Sequence, residues 1–135
     1  MKRLVKILFS SILLLSLNLT LFSCSKINFD YPLDDLYGTW EGTDICVDGK
    51  WYSLENPAFK NLRFSITFHE DGTYYGKGAF GTGAGTYELD GKTITTFVND
   101  QEFLKYVIKS LVGNRAELTM YDRSSSMEIK VKKIS

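Results

Sequence analysis

The chain carries two hydrophobic patterns. From Ile7 to Phe22 apolar residues run almost without a break, whereas beyond Leu36 they alternate with polar ones in short segments. Alternation puts successive side chains on opposite faces of an extended backbone, so each such segment predicts a half-buried β-strand. Leu62, Phe64, Ile66 and Phe68 form one run, interleaved with Arg63, Ser65 and Thr67. Leu104, Tyr106 and Ile108 form another, Ala116, Leu118 and Met120 a third, and Met127, Ile129 and Val131 a fourth. Tyr74, Gly76, Gly78 and Phe80 share the inner face of a strand after the first run, and Lys92–Val98, rich in Thr, Ile and Phe, is a further strand. Gly38–Val47 leads the set and a short strand starts at Trp51. In Gly38–Val47 the parity is mixed: Trp40 falls with Gly42, Asp44 and Cys46, and Ile45 falls with Val47, so a bulge near Gly42 is needed to reconcile them.

Turn residues punctuate these runs. His69–Gly72 and Asp90-Gly91 read as hairpin turns, because Asp-Gly readily adopts the positive φ of tight connections. Asp48-Gly49, Gly113-Asn114 and Asp122–Ser125 turn the chain elsewhere. Gly81–Gly85 reads as a flexible loop, Glu55–Asn61 as a loop with room for a helical turn, and Asn99–Glu102 as a polar connection that admits one. Pro32 and the pair Asp34-Asp35 predict a tether without regular structure over Ser25–Asp35. About eight strands spaced by roughly 8–12 residues predict an all-β sandwich or barrel. Tight turns between successive strands select an antiparallel up-and-down barrel of about eight strands, whose closure leaves no open edge.

Lys2, Arg3 and Lys6 precede the continuous apolar stretch, and small Ser23 and then Cys24 follow it, which is the layout of a secretory signal peptide. Leu21-Phe22-Ser23-Cys24 resembles the lipobox of bacterial lipoproteins. That resemblance implies cleavage before Cys24, palmitate and related acyl chains on this residue, and a membrane anchor worth about 0.8 kcal/mol per buried CH₂. The competing reading is an uncleaved transmembrane anchor, since Leu4–Phe22 approaches the roughly 20 residues that span a bilayer; Lys6, Asn18 and several serines shorten its apolar core. Ser25 is not the aspartate that retains lipoproteins at the inner membrane, so an outer-membrane anchor, periplasmic or surface-facing, is expected. The resulting division is a signal peptide over 1–23, a lipid-anchored tether over 24–35 and a barrel domain over 36–135.

Leu36-Tyr-Gly-Thr-Trp40 resembles the Gly-x-Trp motif that opens the first strand of lipocalins. Ile66–Tyr74, Gly85–Ile94 and Tyr106–Asn114 are similar to strand-and-turn segments of lipocalin-like lipoproteins of the Bacteroidetes type. The resemblance implies a lipocalin-like barrel with Trp40 capping its closed end and a small apolar or amphipathic ligand inside. The candidate cavity residues are Trp40, Phe64, Tyr74, Gly76, Gly78, Tyr87 and Tyr106. An envelope protein engaged through the loops Glu55–Asn61 and Gly81–Gly85 is the alternative partner.

Composition narrows the chemistry. The 16 basic and 16 acidic side chains cancel, and removal of the three signal-peptide cations leaves an acidic surplus, which gives no electrostatic case for nucleic acid. Cys46 has no cysteine partner once Cys24 is lipidated, and the single histidine, His69, sits in a turn without a second metal-ligating His or Cys at useful spacing. Gly76-Lys-Gly-Ala-Phe-Gly81 matches Gly-x-Gly-x-x-Gly, but no helical pattern follows to receive a phosphate. No acid–base or nucleophile set is visible, so no enzyme, metal or cofactor is expected.

Overall fold

The computed structural model describes residues 27–135; the expected signal peptide and the expected lipidation site, Cys24, lie outside these described residues. A single helical turn, α1 (Leu33–Leu36), leads into nine strands: β1 (Gly38–Val47), β2 (Lys50–Ser53), β3 (Phe64–Phe68), β4 (Thr73–Gly78), β5 (Gly83–Asp90), β6 (Thr93–Val98), β7 (Gln101–Val112), β8 (Arg115–Tyr121) and β9 (Ser126–Lys133). From β3 to β9 each strand pairs antiparallel with the next, β3 pairs with β1, and β1 pairs with β9. Eight strands thus close into the predicted up-and-down barrel. The ninth, β2, stands outside the ring as a hairpin on the far half of β1, with Asp44 opposite Ser53 and Val47 opposite Lys50.

The alternating residues point inward as their period demands. Phe64, Ile66 and Phe68 are buried on β3, Leu104, Tyr106 and Ile108 on β7, Ala116, Leu118 and Met120 on β8, and Ile129 and Val131 on β9. The mixed parity of β1 is resolved by a register shift between Gly42 and Asp44 against β9. Thr43 is the extra residue: its hydroxyl donates to the Lys130 carbonyl at 3.2 Å, and its own carbonyl accepts the Leu54 N–H at 2.8 Å.

Several local expectations change. Asn99 and Asp100 both adopt positive φ, 55° and 64°, and form a tight turn, so β7 starts at Gln101 and no helical turn intervenes. The loop expected over Gly81–Gly85 is short, because Gly83–Gly85 already pair with Gly76–Tyr74. Leu62 ends a 3-10 helix, Pro57–Leu62, and is exposed rather than inward. Ahead of β1, Leu33–Leu36 is helical with Asp34 and Asp35 in its first turn, where carboxylates suit the helix N-terminus.

The two ends of the barrel differ. At one end lie α1, the β3–β4, β5–β6 and β7–β8 turns and the end of β9. Trp40 is buried there and its indole Nε1 donates to the Leu36 carbonyl at 2.8 Å, so the first turn of the domain plugs the floor. At the other end lie the β4–β5, β6–β7 and β8–β9 connections, which form the mouth.

The interior is narrow enough to require glycine at particular places. The Tyr74 side chain lies against Gly76 and Gly85, and the Phe64 ring lies against Gly42. A methyl group at Gly85 would overlap the Phe97 carbonyl, whereas one at Gly83 would meet nothing within 4 Å. Gly85→Ala should therefore lower stability by about 1–3 kcal/mol, the usual cost of overpacking, while Gly83→Ala stays near neutral. Urea midpoints of the two variants measure the difference, and equal midpoints would contradict this packing.

Candidate functional site

The interior and the mouth of the barrel differ in how they are filled. Among the expected cavity residues, Phe64, Tyr74, Gly76 and Tyr106 do converge, together with Leu104 and Phe80, but the space they share is about 10 Å³. That is the lower bound for a single water molecule. Gly76 makes room for the Tyr74 phenol, whose oxygen lies 3.2 Å from where a Cβ would stand. Phe64 meets Phe80 edge-on at 4.9 Å. Trp40 belongs to the floor. Tyr87 packs edge-on against Phe68 at 5.0 Å and donates its hydroxyl to the His69 carbonyl at 2.7 Å, which ties β5 to the β3–β4 turn. Gly78 does not face inward: it ends β4, is exposed, and adopts a φ of +106° with its backbone against the Arg63 carbonyl. The inward alternation of β4 therefore stops at Gly76, because the chain turns out of the sheet two residues later.

A cleft of about 600 Å³ lies at the mouth, bounded by Phe80, Phe103, Leu104, Met120 and Met127 and by Glu102 and Asp122–Ser126, and a smaller one of about 420 Å³ lies at the floor between Ile27, Tyr37, Glu70 and Tyr87. Three local features shape the mouth cleft. The first is a register shift between Thr95 and Phe97, where Phe103 and Leu104 together stand opposite Thr96. Thr96 is fully buried, and its hydroxyl donates to the Leu104 carbonyl at 2.8 Å and accepts the Leu104 N–H at 3.0 Å, replacing the ladder bonds lost at the bulge. A bulge re-aims the side chain beside it, and here Phe103 turns across the mouth until its ring rests on Gly81. The second is the β8–β9 turn. Asp122 accepts the Ser124 and Ser125 N–H groups at 2.8 and 2.7 Å, and these bonds hold its carboxyl below the usual carboxylate range. The third is the β4–β5 connection, in which the Gly78 N–H donates to the Thr82 hydroxyl at 3.1 Å.

The result is an apolar wall of two rings, a leucine and two methionines beneath a polar rim carrying Glu102, Asp122 and Arg123. Such a surface can hold the apolar body of a small molecule and hydrogen-bond its polar end. Sequence reasoning missed Phe103 and the rim because alternation assigns Phe103 to the outer face and the serines to a turn. Phe103-Leu104, two consecutive large apolar residues opposite the lone buried threonine of β6, is the signal that could have found the bulge.

Elsewhere the chemistry is sparse. Among the described residues no group of three or more His, Cys, Asp or Glu gathers around a common point. Cys46 is half-buried opposite Trp51, and His69 is exposed in its turn. The glycine-spaced string Gly76–Gly81 runs from β4 into the connection to β5, with no helix after it.

A family model described as Lipocalin-like domain matches residues 36–118, more than half of the chain, from the last residue of α1 to the middle of β8. No curated protein and no solved structure matches the chain.

The buried phenols give the barrel an alkaline limit. Burial, aided by the negative groups near it, pushes Tyr87 up to about 12, and burial raises Tyr106 further and Tyr74 as well. In the unfolded chain a tyrosine ionises near pH 10. Above that pH the unfolded state loses protons that the folded state keeps, so the phenols' contribution to stability should be constant below about pH 10 and stability should fall as pH rises from there toward 12. Urea midpoints recorded alongside phenolate absorbance test this, and a midpoint indifferent to alkali would contradict the burial of these rings.

Proposed function

The chain belongs to the Lipocalin-like domain family, and from that premise we propose that it is a non-catalytic binding protein that takes a small amphipathic molecule in the cleft at the barrel mouth. The observation that carries this reading is the contrast between a filled interior and an open cleft of about 600 Å³ at its end. Ligand pockets generally measure about 300–1,000 Å³ and pair an apolar lining with a few polar groups. An eight-stranded barrel has room for packed side chains or for one small ligand, not both along its whole length. Tyr74, Tyr106 and Phe64 occupy the middle of this one, so the ligand site is the mouth, where a molecule keeps one end in water.

The same proposal includes the anchor. Cys24, at the end of a cationic and then apolar leader, carries lipid and fixes the protein to the outer membrane. Acyl chains supply that attachment, so the barrel surface is free for binding.

Two measurements test the two halves. With cis-parinaric acid as a fluorescent amphipathic probe, Phe103→Ala should weaken binding about tenfold, equivalent to about 1.4 kcal/mol. Tyr75→Ala, on the outer face of β4, should leave binding unchanged. Equal affinities for both variants, or no probe binding to the parent protein, would contradict the mouth site. Labelled palmitate should enter the protein in its own host and be lost in Cys24→Ser; equal labelling of both would contradict the anchor.

A further inference from the structure

The segment ahead of α1 is bound to the floor of the barrel. The Asp30 N–H donates to the Gly91 carbonyl at 2.9 Å, the Gly91 N–H donates to the Asn28 carbonyl at 2.8 Å, and the Asn28 amide donates to the Asp90 carboxylate at 2.6 Å. Phe29 forms a parallel bridge with Gly91 and meets Tyr31 edge-on at 5.6 Å, both rings packing on the core. This strap fixes Asn28 at the β5–β6 turn, on the end opposite the mouth.

Cys24 is four residues before Asn28. A fully extended chain covers at most about 3.3–3.6 Å per residue, so the anchored cysteine stays within about 14 Å of the strap. That reach is shorter than most of the barrel's strands: β5 and β9, with 8 residues each, would extend about 26 Å at 3.3 Å per residue. A lipid on Cys24 therefore cannot bring the mouth to the bilayer without pulling the strap off the turn.

The floor also carries the most exposed apolar side chains. Among the described residues the three large apolar side chains most open to solvent are Val112 (76% exposed), Ile134 (52%) and Ile27 (51%). Val112 flanks the β7–β8 turn, Ile134 follows β9, and Ile27 precedes the strap. Arg115 and Lys132 stand beside Val112, with Arg115 opposite both Val112 and Lys132 in the sheet. The acidic groups of this end, Asp30, Asp34, Asp35, Glu70, Asp71, Glu88 and Asp90, lie on the strap, α1 and the β3–β4 and β5–β6 turns, on the side of Ile27, which leaves the Val112–Ile134 side as the cationic one. Exposed apolar tips beside cations suit the interfacial region of an anionic bilayer.

We infer that the closed end rests on the membrane through Ile27, Val112 and Ile134, and that the mouth cleft points away from it into the aqueous compartment. The inference rests on the lipid anchor at Cys24. In this orientation a ligand reaches the cleft from water, not by lateral transfer out of the bilayer beneath.

The test uses the full lipidated chain, isolated from its host and placed in vesicles of phosphatidylethanolamine, phosphatidylglycerol and a doxyl-labelled phosphatidylcholine. With Cys46→Ser removing the native thiol, an environment-sensitive fluorophore is attached through Val112→Cys at the floor or Ser124→Cys at the mouth. The floor label should shift to the blue and lose emission to the doxyl lipid, and the mouth label should do neither. Quenching at position 124, or at neither position, in protein that carries palmitate would overturn the orientation while leaving the anchor intact. Absence of palmitate from the isolated protein would overturn both together.

Discussion

Aromatic rings laid on glycines are the constraint from which the rest of this structure follows. An eight-stranded barrel encloses little more than its own side chains, and here Tyr74 lies over Gly76 and Gly85 while Phe64 lies over Gly42. Any side chain at Gly42 or Gly85 would collide with a ring or with neighbouring backbone. Because the rings fill the middle, backbone groups there are shielded from water and Thr96 must satisfy the broken ladder at the β6–β7 bulge with its own hydroxyl. That bulge swings Phe103 over Gly81 and so creates the apolar wall of the mouth. Filling the interior and opening the cleft are two consequences of one packing solution.

The same logic separates the ends. At the floor, Trp40 reaches back to the Leu36 carbonyl, the Lys133 ammonium stands 5.3 Å above the indole, and the strap at Asn28–Asp30 covers the β5–β6 turn. The first of these contacts spans four residues, whereas the Lys133 and strap contacts join residues about 60–90 positions apart, so the floor is complete only when distant parts of the chain have met. At the mouth the connections are held mainly by local bonds: Asp122 to its own turn, Thr82 to Gly78, and Arg63 Nε to the Leu54 carbonyl at 2.8 Å. Local bonds leave a rim that can adjust to a ligand without disturbing the closed sheet.

The fold was legible because its signals are local and redundant. Period-two runs named the inward residues of β3, β7, β8 and β9, and Asp-Gly pairs marked hairpins. The Gly42 bulge could be inferred from a parity conflict within one strand. The site was less legible because it depends on pairings between strands. Nothing within Gln101–Val112 alone says that Phe103 slips out of alternation; only the opposing Thr96 does. Gly78 reads as inward by parity, yet it is exposed and adopts a positive φ beside the Arg63 carbonyl. Asn99 and Asp100 read as a polar connection because αL residues other than glycine are rare, although Asn and Asp are the usual exceptions. The lipocalin-like motif was visible in the spacing from Gly38 to Trp40. Whether the barrel would be hollow was not, since the tyrosines that could line a cavity are the same ones that can fill it.

The function of the barrel turns on where an amphipathic molecule makes contact. Amide chemical-shift mapping of the protein during titration with cis-parinaric acid measures this residue by residue. The predicted result is a set of perturbations centred on Ala79–Gly81, Glu102–Leu104 and Asp122–Met127, with Ile66, Gly76 and Tyr106 unmoved. Perturbations centred instead on Ile66, Tyr74, Gly76 and Tyr106 would mean that the rings yield and the interior opens, and the account would be wrong.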